Sequence, residues 1–78
     1  MHFDDGLNLE NLAPRELESL CRINGYSHTF IATALFIGYT KDDHVIYKCI
    51  FSCTYDTPVG VLYVWRNDNG EIKVKTEC

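Results

Sequence analysis

The chain has 78 residues, of which 46% are hydrophobic and 23% charged, with a formal net charge of −4. That length makes one domain, and that composition excludes a disordered chain. The balance of 7 basic against 11 acidic residues opposes non-specific attraction to nucleic acid, which needs clustered Lys and Arg.

Residues 1–13 read as an irregular or partly helical arm in which Leu7, Leu9 and Leu12 pack down and Asn8 and Asn11 are available to cap a turn. A helix follows over 14–24. Pro14 suits its first turn, where a missing N–H costs nothing. Glu16 and Glu18 near its start and Arg22 near its end oppose the helix dipole. Leu17, Leu20, Cys21 and Ile23 supply the inward stripe, and Gly25 the left-handed stop.

Four strands are expected next. The first covers 28–39 (HTFIATALFIGY), and Lys41-Asp42-Asp43 turns the chain into the second, 44–55 (HVIYKCIFSCTY). Asp56-Thr57-Pro58 interrupts before the third, 59–66 (VGVLYVWR). Asn67-Asp68-Asn69-Gly70 is a hairpin signal, because Asn and Gly accept positive φ. The fourth strand, 71–76, alternates Ile72 and Val74 inward with Lys73 and Lys75 outward, the pattern of an edge strand guarded by lysine. Short connections favour an antiparallel meander, so the expected fold is α+β: one N-terminal helix packed on a four-stranded antiparallel sheet, a single domain over 1–78. On the second strand the odd positions Val45, Tyr47, Cys49, Phe51, Cys53 and Tyr55 form the drier face. The even positions Ile46, Lys48, Ile50, Ser52 and Thr54 form a mixed one.

A second local reading competes over 15–35. RELESLCRINGYSHTFIATAL resembles a helix-turn-helix, with Ser27 capping a second helix from His28. Against it stand the β-favouring Thr29, Phe30, Ile31, Thr33, Phe36 and Ile37, and the lack of any Lys or Arg between Ile23 and Thr40 to meet phosphate.

The apolar content of the strands carries the main inference. Strands that are apolar on both faces need a cover on each, and one helix covers only one. The second sheet face is therefore expected to meet another molecule, either a target or a second copy. A homodimer through a sheet face or an edge strand is the expectation. A chain this small buries only about 60% of its unfolded surface, so association would also help its stability.

Catalytic patterns are missing. Cys49 and Cys53, four apart on a strand, lie about 13 Å from one another, too far to share an ion, and they read as small buried hydrophobes rather than as zinc ligands with His44 or Cys21. His2, His28 and His44 stand in no motif with a nucleophile. Asp42-Asp43 reads as a solvated turn. No phosphate loop, dinucleotide fingerprint or nucleophile elbow occurs. No enzyme activity, metal or cofactor is expected. The acidic N-terminus without a long apolar stretch, and the lack of an uncharged run of about 18 apolar residues, point to a cytoplasmic protein with no membrane segment and reduced thiols. Cys78 reads as an exposed thiol able to form an intermolecular disulfide on oxidation.

Two sets of residues are candidates for partner binding. Asp4, Asp5, Glu10, Glu16 and Glu18 make the first third of the chain acidic. Tyr63, Trp65, Arg66, Lys73 and Lys75 make the last hairpin aromatic and basic. Two hairpin registers are open. A type I turn with a glycine bulge sets Asn67 opposite Glu71 and puts Tyr63 and Trp65 on one face with Lys73 and Lys75. A tight turn through Asn69-Gly70 sends both aromatics into the core and sets Arg66 opposite Lys73, an unfavourable like-charge pair. The first is preferred.

In size, acidity and one-helix-on-sheet layout the chain resembles anti-CRISPR proteins, the compact inhibitors made by phages and other mobile elements. The resemblance implies inhibition by binding: a non-enzymatic protein that occludes a nuclease or a nucleic-acid-binding complex, with a Cas effector complex as a possible partner. The alternative is a small nucleic-acid-binding or regulatory module that uses the aromatic and basic hairpin.

Overall fold

The computed structural model describes residues 8–26, 29–51 and 59–77. One helix, α1 (Pro14–Ile23), packs on a sheet of β1 (Ile31–Tyr39), β2 (Val45–Phe51), β3 (Val59–Arg66) and β4 (Ile72–Glu77). All neighbouring strands are antiparallel and their order is β1-β2-β3-β4, the expected meander. The second helix of the helix-turn-helix reading is β1 instead, where β-branched and aromatic side chains outweigh the local turn signal.

Helix α1 starts at Pro14, and the Glu16 carboxylate accepts the Ala13 N–H at 2.8 Å, one half of a capping box. It ends in a Schellman motif: Tyr26 N–H donates to Cys21 O and Gly25 N–H to Arg22 O, with Gly25 at φ +97°. Leu17, Leu20 and Cys21 are buried as expected, but Ile23 is 66% exposed. At about 100° per residue the stripe continues to Asn24, not to Ile23. Asn24 uses that place to donate its side-chain amide to Leu20 O and, at 3.2 Å, to Ile72 O, tying the helix end to β4. At the other side, Glu18 Oε2 accepts the Ile31 N–H at 2.8 Å and ties the helix to β1.

The core lies between helix and sheet: Leu12, Leu17, Leu20 and Cys21 against Ile31, Val45, Tyr47, Cys49, Leu62, Val64, Ile72 and Val74. The odd residues Val45, Tyr47 and Cys49 of β2 face it, and Phe51 packs at its margin, as their spacing predicts. Tyr47 is the one core residue with a polar tip. Its hydroxyl accepts the Leu12 N–H at 2.9 Å and donates to Leu9 O at 2.6 Å, so a buried phenol anchors the segment before the helix.

Both described turns obey their side chains. Between β1 and β2, Thr40 Oγ1 accepts the N–H groups of Asp42 and His44. Between β3 and β4, Asn67 N–H donates to Glu71 O, Asn67 Oδ1 accepts from Asn69 and Glu71 N–H, and Gly70 sits at φ +79°. This is the type I turn with a glycine bulge. Strand limits differ slightly from expectation: β1 begins at Ile31 rather than residue 28, and β4 runs over Ile72–Glu77 rather than 71–76. The expectations for Asp4, Asp5, Cys53, Cys78, His2, His28 and the 52–55 end of β2 fall outside the described residues.

Candidate functional site

The sheet face turned away from α1 is built by cross-strand rows. Thr33, Ile50 and Val59 form one row; Leu35, Lys48, Val61 and Glu77 the next; then Gly38, Ile46, Tyr63 and Lys75; then Trp65 and Lys73. No described helix lies over this face. Its first two rows carry an aliphatic patch, with Leu35 64%, Val59 53% and Ile50 39% exposed. Exposed aliphatics that adjoin one another mark an interaction surface more often than isolated ones do.

The last two rows hold the aromatic and basic residues. The observed β3–β4 register sets Tyr63 opposite Lys75 and Trp65 opposite Lys73, so these four share a face, as the glycine-bulge turn requires. Arg66 pairs with Ile72 and belongs to the helix side of the hairpin, out of alternation with Trp65. Strand alternation alone thus separates Arg66 from the group in which the sequence places it.

Sequence reasoning missed His44. Its ring stacks on the Trp65 indole, with centroids 4.2 Å apart and planes 8° from parallel. The stack extends the aromatic surface from β3 to the β1–β2 turn. An open hollow of about 320 Å³ lies there, lined by Thr40, Asp42, His44, Tyr63, Trp65, Lys75 and Glu77. The Tyr63 hydroxyl donates to Glu77 Oε1 at 3.0 Å, and that bond raises the phenol pKa above its ordinary value. Lys73 reaches Glu71 at 3.9 Å, both side chains well exposed, a pair of little energetic weight. The signal for His44 would have been the β2–β3 register, which a long connection leaves open.

The described members of the acidic set, Glu10, Glu16 and Glu18, do not assemble into a site. Glu16 is engaged at the Ala13 N–H, and Glu18 at the Ile31 N–H and, at 3.7 Å, at Arg22. Of these three carboxylates only that of Glu10 belongs to an exposed residue. All three lie on or before α1, in the layer opposite the Tyr63–Trp65 face. Glu16 caps the helix and Glu18 ties it to β1.

The described cysteines are placed for packing. Cys21 and Cys49 are free and fully buried. Burial pushes each thiol from 9.0 up to about 11, with the Glu18 charge adding at Cys21 and Cys21 adding at Cys49. A thiol so poised holds its proton and is a poor nucleophile at neutral pH. Among the described residues, no group of three or more His, Cys, Asp or Glu is placed to hold a metal ion. No described helix is long and apolar enough to cross a membrane. Compared with protein-family models, with curated proteins and with solved structures, the chain has no match.

Proposed function

We propose that this chain is a non-enzymatic binding protein that acts by covering a macromolecular surface with the sheet face opposite its helix. The observation that carries the reading is the exposure of Leu35, Ile50 and Val59 beside Tyr63 and Trp65 on one sheet face over which no described helix lies. Aromatic and aliphatic anchors flanked by a polar rim are the composition of a protein-docking surface. The target class suggested by size and acidity is a nuclease or nucleic-acid-binding complex, with an anti-CRISPR type of inhibition as its concrete form. The test is direct. Purified chain is titrated into a CRISPR effector complex while binding and DNA cleavage are followed. Stoichiometric inhibition that drops at least tenfold in Ile50→Lys and Val59→Lys supports the proposal. No binding by effector complexes of several types, at concentrations where the chain is folded, removes the anti-CRISPR form.

A second reading is favoured by the hairpin register. Tyr63 and Trp65 share a face with Lys73 and Lys75, and His44 lies flat on Trp65. Such a platform stacks single-stranded bases while lysines meet phosphates. With Lys48, Lys73 and Lys75 as phosphate contacts, the logarithm of affinity would fall with the logarithm of salt at a slope near −2, at about 0.7 per contact for single strands. Binding without salt dependence, or unchanged in Trp65→Ala, rejects it.

A further inference from the structure

The sheet has two unlike edges. β4 ends the sheet with Lys73, Lys75 and Glu77 along its length. β1, at the other edge, runs nine residues, IATALFIGY, without one charged residue or proline. Among the described residues, no strand lies beside its outer row of backbone N–H and C=O groups. Phe36, Ile37 and Tyr39 are exposed by 37%, 50% and 50%, and Leu35 more so. Edge strands are ordinarily guarded by charge, by proline or by cover; β1 has only bulges, at Ala32 and Ile37, where its register with β2 slips.

We propose that β1 pairs antiparallel with β1 of a second copy of this chain, about a two-fold axis at Leu35, to form a continuous eight-stranded sheet. The inference goes beyond the proposed function and does not depend on which target, if any, the outer face binds.

Register and face select this occupant. A two-fold axis perpendicular to the sheet sets each residue opposite one on the same face. The β2 partners put Ile31, Ala34, Phe36 and Tyr39 on the helix face, and Thr33, Leu35 and Gly38 on the other. With Leu35 facing Leu35 of the second copy, Phe36 faces Ala34 and Tyr39 faces Ile31, every pair on the helix face. Each exposed aromatic thus meets a smaller residue. The bulge at Ala32 falls opposite Gly38, next to the other copy's bulge at Ile37, so both strands bend at the same place. No like charges meet, because the strand holds none. The area also fits: the half-exposed side chains of two such strands, with their backbones, bury on the order of 1,000 Å² in total, the lower bound for a specific interface. That predicts a weak, concentration-dependent dimer.

The test uses charge at the axis. Sedimentation equilibrium of the full chain is run in reductant, from micromolar to millimolar concentration, on the native chain, on Leu35→Lys, on Leu35→Glu and on an equimolar mixture of the two. The expected result is a reversible dimer for the native chain, at least tenfold weaker dimerisation for each variant alone, and recovery in the mixture, where Lys faces Glu. Val59→Lys, on the same sheet face but away from the edge, should leave dimerisation unchanged. Circular dichroism and urea midpoints establish that each variant is folded, and Leu35 is exposed enough to accept a charge. In a Cys53→Ser, Cys78→Ser background, Leu35→Cys should oxidise to a disulfide-linked dimer, since facing Cα atoms about 4.5–5.5 Å apart are within disulfide reach. A native chain that stays monomeric throughout, a dimer that reductant abolishes, or a dimer indifferent to both charges at Leu35 overturns the proposal.

Discussion

Replacing Tyr47 by Phe isolates a single oxygen atom. Phenylalanine keeps the ring, which is 2% exposed and meets Phe36 edge-on at 6.2 Å, so apolar packing is retained. What disappears is a hydroxyl that accepts from Leu12 N–H at 2.9 Å and donates to Leu9 O at 2.6 Å. Each such bond contributes about 1 kcal/mol net, and stranding a buried donor costs about 1–3 kcal/mol. Leu12 is 6% exposed, so its N–H cannot turn to water without local opening. Leu9 is only half-buried, and its carbonyl can be rehydrated. The expected loss is therefore about 2–3 kcal/mol, which lowers Tm by roughly 10–20 °C in a chain of this size. Urea unfolding read by far-UV circular dichroism measures the loss. Hydrogen exchange at the Leu12 amide should accelerate beyond the global change, because the segment before α1 loses its only side-chain anchor to β2 among the described residues. A loss below about 0.5 kcal/mol, with Leu12 protection unchanged, would show that the phenol does not hold this segment.

Four further outcomes follow from the same structure. The folded chain keeps the Cys21 and Cys49 protons up to about pH 11, whereas an unfolded thiol releases its proton near 9.0. Stability from this source is complete below pH 9 and falls as pH rises toward 11, by roughly 1 kcal/mol per thiol near pH 10; the buried Tyr47 phenol, also raised, acts in the same direction. Urea midpoints from pH 7 to 11 that stay flat would contradict this. In a Cys53→Ser, Cys78→Ser background, the two remaining thiols should react with a disulfide reagent only at the rate of unfolding; prompt reaction at neutral pH would mean that the core is open. Gly70→Ala should cost about 1 kcal/mol through its φ of +79° alone, since a Cβ there meets nothing within 4 Å. Asn67→Ala should cost about as much by freeing the Asn69 and Glu71 N–H groups; hairpin register in either variant is checked by cross-strand nuclear Overhauser effects between Trp65 and Lys73.

Features with local causes were legible in the sequence. Pro14 and Gly25 fix the ends of α1 by local chemistry that depends on a few adjacent residues. The Asn67–Gly70 turn fixes its hairpin, and with it the shared face of Tyr63, Trp65, Lys73 and Lys75, because turn type and register are coupled. The dry face of β2 followed from alternation alone. What escaped depends on distant pairing. The stack of His44 on Trp65 requires the β2–β3 register, which sets Val45 opposite Val64 and which the connection after Phe51 is too long to dictate. Ile23 was assigned to the inner stripe on hydrophobicity, yet geometry gives that place to Asn24, whose amide has a carbonyl to meet on β4. Glu16 and Glu18, candidates for partner binding in the sequence, are occupied by the backbone N–H groups of Ala13 and Ile31. The β1 bulges left no mark in the pattern, since Ala32 and Ile37 are ordinary strand residues until β2 is laid beside them.

The contrast between a bare first strand and a lysine-studded last one bears on how far such a sheet can grow. A slab with two inviting margins would add copies without end and become a fibre. In the proposed dimer only the bare margin is used, joining uses it up in both participants, and the lysine-bearing margins are left at the two outer ends. Assembly of this kind is self-limiting, and a single lysine-to-valine exchange on the far strand is the change that would put that limit at risk.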